Sequence, residues 1–99
     1  DNKNTVVSYS IVSIGTVSET IVHPREVFLP AVLTKASGVI VAHNHPSGNH
    51  VPSRQDIETT KRLVEAGKVI GIPLVDHIIV GFNNSYKNYY SLKENGYIA

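Results

Sequence analysis

The stretch VIVAHNHPSGNHVPSRQD, residues 39–56, sets the architecture of this chain. Residues 39–42 (VIVA) are a short, continuous apolar run, which suits a buried strand. A polar loop leaves directly from the C-terminal end of that strand. Pro52-Ser53 then starts a helix. Ser53 is a good N-cap, and an acid at the third helical position, Asp56, favours the positive helix end. The middle of the chain therefore reads strand, tight loop, helix. The loop carries three histidines, His43, His45 and His50.

Outward from this unit, residues 5–14 (TVVSYSIVSI) are β-branched and partly alternating, and read as a strand. Gly15 offers a turn or bulge, and residues 16–22 (TVSETIV) read as a second, antiparallel strand. His23-Pro24 looks like a helix start, with Pro24 at the first helical position. An amphipathic helix is expected over 24–36, ended by Gly38. Pro30 lacks an N–H and clashes with the preceding turn, so a kink or break is expected near it. The second helix is expected from Ser53 to about Gly67, with Ile57, Leu63 and Val64 as core contacts. Residues 73–81 (PLVDHIIVG) form another strand. Asn83-Asn84 marks a turn, 85–92 (SYKNYYSL) a last strand, and 93–96 a short terminal turn. Strands and helices interleave without strict strand–helix–strand alternation. The expected fold class is α/β (α+β mixed), a mixed β-sheet flanked by helices.

Ninety-nine residues suit one domain, 1–99, with a single core. No repeat, linker or low-complexity segment interrupts it. An apolar share of 41% with 17% charged residues is ordinary globular composition. The net charge of +1 gives no electrostatic reason to expect nucleic acid, a membrane surface or an acidic partner. There is no cysteine, which excludes disulfides and cysteine-ligated zinc and is compatible with a cytoplasmic setting. No apolar run is long enough to span a membrane. The chain also holds no methionine and opens on the turn-like Asp1-Asn2-Lys3-Asn4. It is expected to be a C-terminal fragment of a longer protein.

The chemistry-bearing pattern is His43-x-His45-x7-Ser53-x2-Asp56. Two histidines two apart leave the same face of an extended segment, so both can address one ion. A carboxylate in the first turn of the next helix can meet them. Ligands of types N, N and O suit zinc, and three protein ligands leave the fourth position open for water, as in catalytic sites. Each part also has a plainer reading: loop histidines for His43 and His45, helix capping for Ser53 and Asp56. Asp56 is not expected to serve fully in both jobs; if it binds metal, Ser53 carries the cap. The Ser53 hydroxyl can also donate to an oxyanion on a metal-bound carbonyl. Asn44, Ser47 and Gly48 are candidates for binding substrate backbone, although Pro46-Ser47-Gly48 is also ordinary turn chemistry. His77 reads as a satisfied core or sheet-face histidine in preference to a metal ligand, with Asp76 pointing the opposite way. His50 lies in the loop and could line the cleft, exposure to solvent being the preferred reading, and His23 reads as a helix-entry residue. Tyr86, Tyr89 and Tyr90 with Lys87 and Lys93 could stack a single strand of nucleic acid, but at +1 net charge a hairpin packing its tyrosines is the preferred reading.

The spacing resembles the JAMM (MPN+) metalloprotease signature. HPREVF (23–28), AHNHPSG (42–48), PSRQDI (52–57), VDHIIVG (75–81) and SLKENGYI (91–98) resemble the RadC family of bacteria across nearly the whole chain. The resemblance implies a JAMM/MPN domain, similar to the cytidine deaminase-like architecture. It implies Zn2+ on His43, His45 and Asp56, with Ser53 beside the substrate. It also implies metallopeptidase or isopeptidase hydrolysis of a peptide or isopeptide bond. JAMM enzymes use a glutamate on an early strand as acid–base. In RadC-like sequences it precedes the segment matching residues 1–4, so it is expected upstream of Asp1. Within the chain, Glu58 lies roughly 200° round the helix from Asp56, and Glu19 sits in an expected strand of unknown facing. Glu26 is the internal acid–base candidate, with a second reading as an acid favoured by the helix dipole. The alternative function is a non-catalytic binding module associated with DNA repair or mobile elements.

Overall fold

The computed structural model describes residues 7–14, 22–45, 50–83 and 86–99, with the side chains of 82, 83 and 86–88 left aside. Its elements run β1 (Tyr9–Ile14), α1 (Pro24–Leu33), β2 (Gly38–His45), α2 (Arg54–Ile70), β3 (Leu74–Asn83) and β4 (Tyr86–Ser91). The sheet order is β1-β2-β3-β4. β1, β2 and β3 are parallel neighbours, and β4 is antiparallel to β3. This is an α/β fold on a mixed sheet, as the sequence led us to expect. Among the described residues, β1-α1-β2 and β2-α2-β3 are successive strand–helix–strand units, and the antiparallel β3–β4 pair breaks that alternation, as expected. Parallel neighbours require such crossovers, whereas β3 and β4 can be joined by a short turn.

The expected antiparallel strand over 16–22 lies outside the described residues, apart from Val22. The Asn83-Asn84 turn is likewise only half described. No helix among the described residues is long and apolar enough to cross a membrane.

α1 has Pro24 in its first turn, as expected, and continues unbroken through Pro30 to Leu33. Pro30 lacks the N–H that would donate to the Glu26 carbonyl, and the helix nevertheless runs three residues beyond it. The end comes before Gly38. Lys35 takes the left-handed conformation, φ 55°. The Ala36 N–H then donates to Ala31 C=O at 2.9 Å, and the Lys35 N–H to Val32 C=O at 3.2 Å. This pair of bonds is the Schellman closure, built here on a non-glycine residue. Gly38 instead opens β2, where a Cβ would stand 2.6 Å from Val75 Cγ2. α2 also runs past the expected end at Gly67. Gly71, at φ 87°, caps it.

Both helices pack on one face of the sheet. α1 lies against β1 and β2, α2 against β3, and the helices touch each other. Phe28 of α1 reaches toward Gly67 of α2, where an added Cβ would meet its Cζ at 3.4 Å. Between helices and sheet lie Val27, Phe28, Ala31, Val39, Val41, Leu63, Leu74 and Ile79, all buried. Leu63 is fully buried, and Ile57 and Val64 pack against this core, as expected. In β4, Tyr89 is exposed while Tyr90 packs against the core, so adjacent tyrosines face opposite sides.

Candidate metal centre

The end of β2 delivers His43 and His45 on the helix-facing side of the sheet. Along β2 the buried Val39 and Val41 share that side, and the alternation carries on to His43 and His45. Asn44 alternates to the other side, and its Oδ1 is buried without a hydrogen-bond partner. α2 begins beside them because Ser53 and Asp56 close a capping box. Asp56 N–H donates to Ser53 Oγ at 3.1 Å, and Ser53 N–H donates to Asp56 Oδ2 at 2.8 Å. Two backbone donors that the helix itself leaves unpaired are thus satisfied.

The same carboxylate faces both imidazoles. Asp56 Oδ1 stands 3.1 Å from His43 Nδ1, and Asp56 Oδ2 stands 3.2 Å from His45 Nε2. The two rings meet edge to face, with centroids 4.8 Å apart. Asp56 is therefore both half of the capping box and a member of the cluster. A carboxylate has about four lone-pair sites, enough for one backbone N–H and a cation together.

These three side chains form a group that could hold a metal ion, their candidate ligand atoms all lying within 4.8 Å of one another. The donor set fits a dication. Two imidazole nitrogens and a carboxylate are the ligand types that zinc takes, and each imidazole faces one oxygen of the same carboxylate. His43 Nδ1 is buried and makes no hydrogen bond, an orphaned ring nitrogen aimed at the carboxylate. Burial pushes the Asp56 carboxyl up. The neighbouring His43 ring and the Ser53 N–H and hydroxyl outweigh it and hold the group well below the usual carboxylate range. The ligand is thus ionised at neutral pH, as metal binding requires.

Of the other candidates, Ser53 stands at the helix start beside the cluster, exposed, with its Oγ accepting from Asp56 N–H. That bond uses a lone pair and leaves the hydroxyl proton available to a substrate. Ser47 and Gly48 lie outside the described residues, as does Glu19. Glu26 is exposed in the first turn of α1 and Glu58 is exposed on α2; neither belongs to the cluster. His50 is half-buried, not open to solvent, with its ring 6.4 Å from that of Tyr90.

Sequence reasoning did not connect Thr60 to the site. Thr60 is buried and bonded to His77 Nδ1 at 2.7 Å. The signal available was its spacing: Thr60 is one helical turn beyond Asp56 and shares its face. Asp76 points the opposite way from His77, as expected. It ties β3 to the end of β4, accepting from Ser91 Oγ at 2.6 Å and Lys93 N–H at 3.1 Å.

His77 makes a testable contribution to acid sensitivity. Burial, then the proximity of His43, lower its pKa from 6.5 to about 4, against the opposing pull of Asp56 and Asp76. The folded ring therefore binds fewer protons than the unfolded one between those values. Stability is retained above pH 6.5 and falls as pH drops toward 4, by roughly 3 kcal/mol in all. Asp56, whose ordinary value is 3.8 and whose folded value is lower still, adds its own loss only below that window. Urea unfolding of metal-free wild type and His77→Asn at pH 6.5, 5.5 and 4.5 checks this. Wild type should lose stability steeply and the variant far less; equal losses would assign the effect elsewhere.

The sequence pattern of the RadC-like JAB domain family matches residues 1–97. A UPF0758 protein of Methanococcoides burtonii is 48% identical over 99 residues, all of this chain and 42% of that protein. One from Caldanaerobacter subterraneus subsp. tengcongensis is 50% identical over 95 residues, 96% of this chain and 39% of its own length. One from Rubrobacter xylanophilus is 50% identical over 96 residues, 97% of this chain and 40% of its own length. The chain thus spans about two fifths of the length of these relatives. By sequence pattern, by the strength of these likenesses and by a four-stranded mixed sheet carrying the two histidines, the chain belongs to the family of RadC-like JAB domains.

Proposed function

We propose that the chain is the zinc-binding part of a hydrolase that cleaves an amide bond in a peptide or isopeptide substrate. One observation carries the reading: two imidazoles and one carboxylate, from two different elements, converge with N···O separations of 3.1 and 3.2 Å. Two imidazoles and a carboxylate are ligand types that suit zinc. When bound, zinc supplies a Lewis acid and lowers the pKa of a coordinated water to about 7. His43, His45 and Asp56 would be the residues that hold it.

The residues of this chain then act as follows. His43 and His45 hold the cation from the strand end. Asp56 holds it from the helix start and partly neutralises it. Ser53 donates its hydroxyl proton to the oxygen on which negative charge develops. Amide hydrolysis also needs a proton carrier. We assign it to a glutamate outside these 99 residues, on the RadC and JAMM resemblance, in preference to the exposed Glu26. A cysteine-free chain suits the reducing cytoplasm, where we place the reaction.

The test is zinc per chain by elemental analysis, on protein purified without chelators. About one zinc per chain is expected in wild type and close to none in His43→Ala. Equal zinc in both, or none in wild type after adding it back, would remove this reading. Peptide substrates are then screened with the zinc-loaded protein lengthened to the span of its relatives.

A further inference from the structure

His77 is 1% exposed and lies beside Val41 on the helix-facing side of the sheet. Its polar contact runs through α2. The Thr60 hydroxyl has one proton and donates it to the Asp56 carbonyl at 2.8 Å. The 2.7 Å bond between Thr60 Oγ1 and His77 Nδ1 must then run the other way, from ring N–H to hydroxyl oxygen. The hydrogen-bond network so assigns the tautomer: proton on Nδ1, lone pair on Nε2. Nε2 is buried and has no hydrogen-bond partner. On its other side the His77 ring stacks on the ring of His43, with centroids 6.0 Å apart and planes 24° from parallel.

Val41, Leu63 and Ile79 around this part of the core are fully buried hydrophobics. A leucine in place of His77 would fill a similar volume without burying an imidazole. The polar ring therefore weakens the core where it sits. What it contacts is the ring of one proposed ligand and, through Thr60, the helical turn that presents another.

We infer that His77 is a positioning residue. Linked to Asp56 through Thr60 and stacked on His43, it holds the strand end and the helix start in the arrangement in which His43, His45 and Asp56 can share one cation. This rests on the metal-centre reading above. Partners that orient ligands from behind typically change metal affinity by about 10–100-fold when removed.

The experiment titrates the 99-residue chain with Co2+, reading the visible bands and the dissociation constant. Wild type is expected to bind one cobalt per chain. His77→Leu should bind about 10–100-fold more weakly, with altered bands, while its metal-free melting temperature is unchanged or higher. Thr60→Val, which keeps the His77 ring and the local volume, should weaken binding in the same direction. His77→Asn places an amide nitrogen near the Nδ1 position and should recover part of the loss. A merely structural histidine predicts lower stability with unchanged bands. His77→Leu with wild-type affinity and bands would overturn the inference alone. Should that variant fail to fold, wild-type affinity and bands in Thr60→Val would overturn it equally. Wild type that binds no cobalt would remove the metal-centre reading and this inference together.

Discussion

In Asp56→Ala, zinc should no longer raise the unfolding midpoint. Ligand that binds only the folded chain stabilises it by mass action, roughly 4 kcal/mol when free zinc is a thousand times Kd. That response needs all three side chains. Among the described residues, Asp56 contributes the only carboxylate of the cluster, with one oxygen toward each histidine. The variant should also lose about 1–2 kcal/mol without metal, since its carboxylate is half of the capping box. Two further variants separate the jobs. Ser53→Ala should lose about 1 kcal/mol of cap and keep its zinc response. Asp56→Asn retains an oxygen for the Ser53 N–H and should keep most of the cap while the zinc response shrinks. Thermal unfolding of the four proteins, in zinc and in chelator, makes the comparison. A full zinc response in Asp56→Ala would show that the metal lies elsewhere.

Phe28→Ala should cost about 3–5 kcal/mol, a large part of the roughly 5–15 kcal/mol that holds a domain together. Phe28 is 1% exposed and extends from α1 to the surface of α2 at Gly67. The α2 surface that faces the ring is Gly67, which has no side chain to move into the void. The cavity therefore stays open, and the cost falls in the upper part of the range for such truncations. The melting temperature should drop by roughly 15–30 °C. Urea unfolding checks it: the midpoint should shift with little change in slope. A loss below about 1 kcal/mol would mean that α1 and α2 repack, and that Phe28 does not pin the helix that presents Asp56.

How much of this was legible beforehand differs by element. The VIVA run before His43 and the Ser53 cap before Asp56 carry local signals, one of burial and one of hydrogen bonding, and both elements form where those signals stand. The end of α1 was misread because glycine was taken as the stop. Lys35 takes the left-handed position instead, and Gly38 is needed where Val75 and Tyr9 crowd the strand. Local propensity at a lysine carries no sign of that, since the strain is met by hydrogen bonds made only in the folded turn. Pro30 is expected to break or kink the helix, and the helix continues through it to Leu33.

The sequence by itself determined the donor set and its reach. A histidine pair two apart on an extended strand must share a face, and an acid three residues after an N-cap must sit in the first helical turn. Those periodicities are properties of the backbone and hold whatever the chain packs against. Only the tertiary structure decided that the strand end and the helix start meet, that one carboxylate serves the cap and the cluster together, and that Thr60 and His77 stand behind them. These depend on the parallel pairing of β2 with β3 and on α2 lying across β3. The buried core chooses that pairing from contacts far apart in the chain, and no local pattern encodes it.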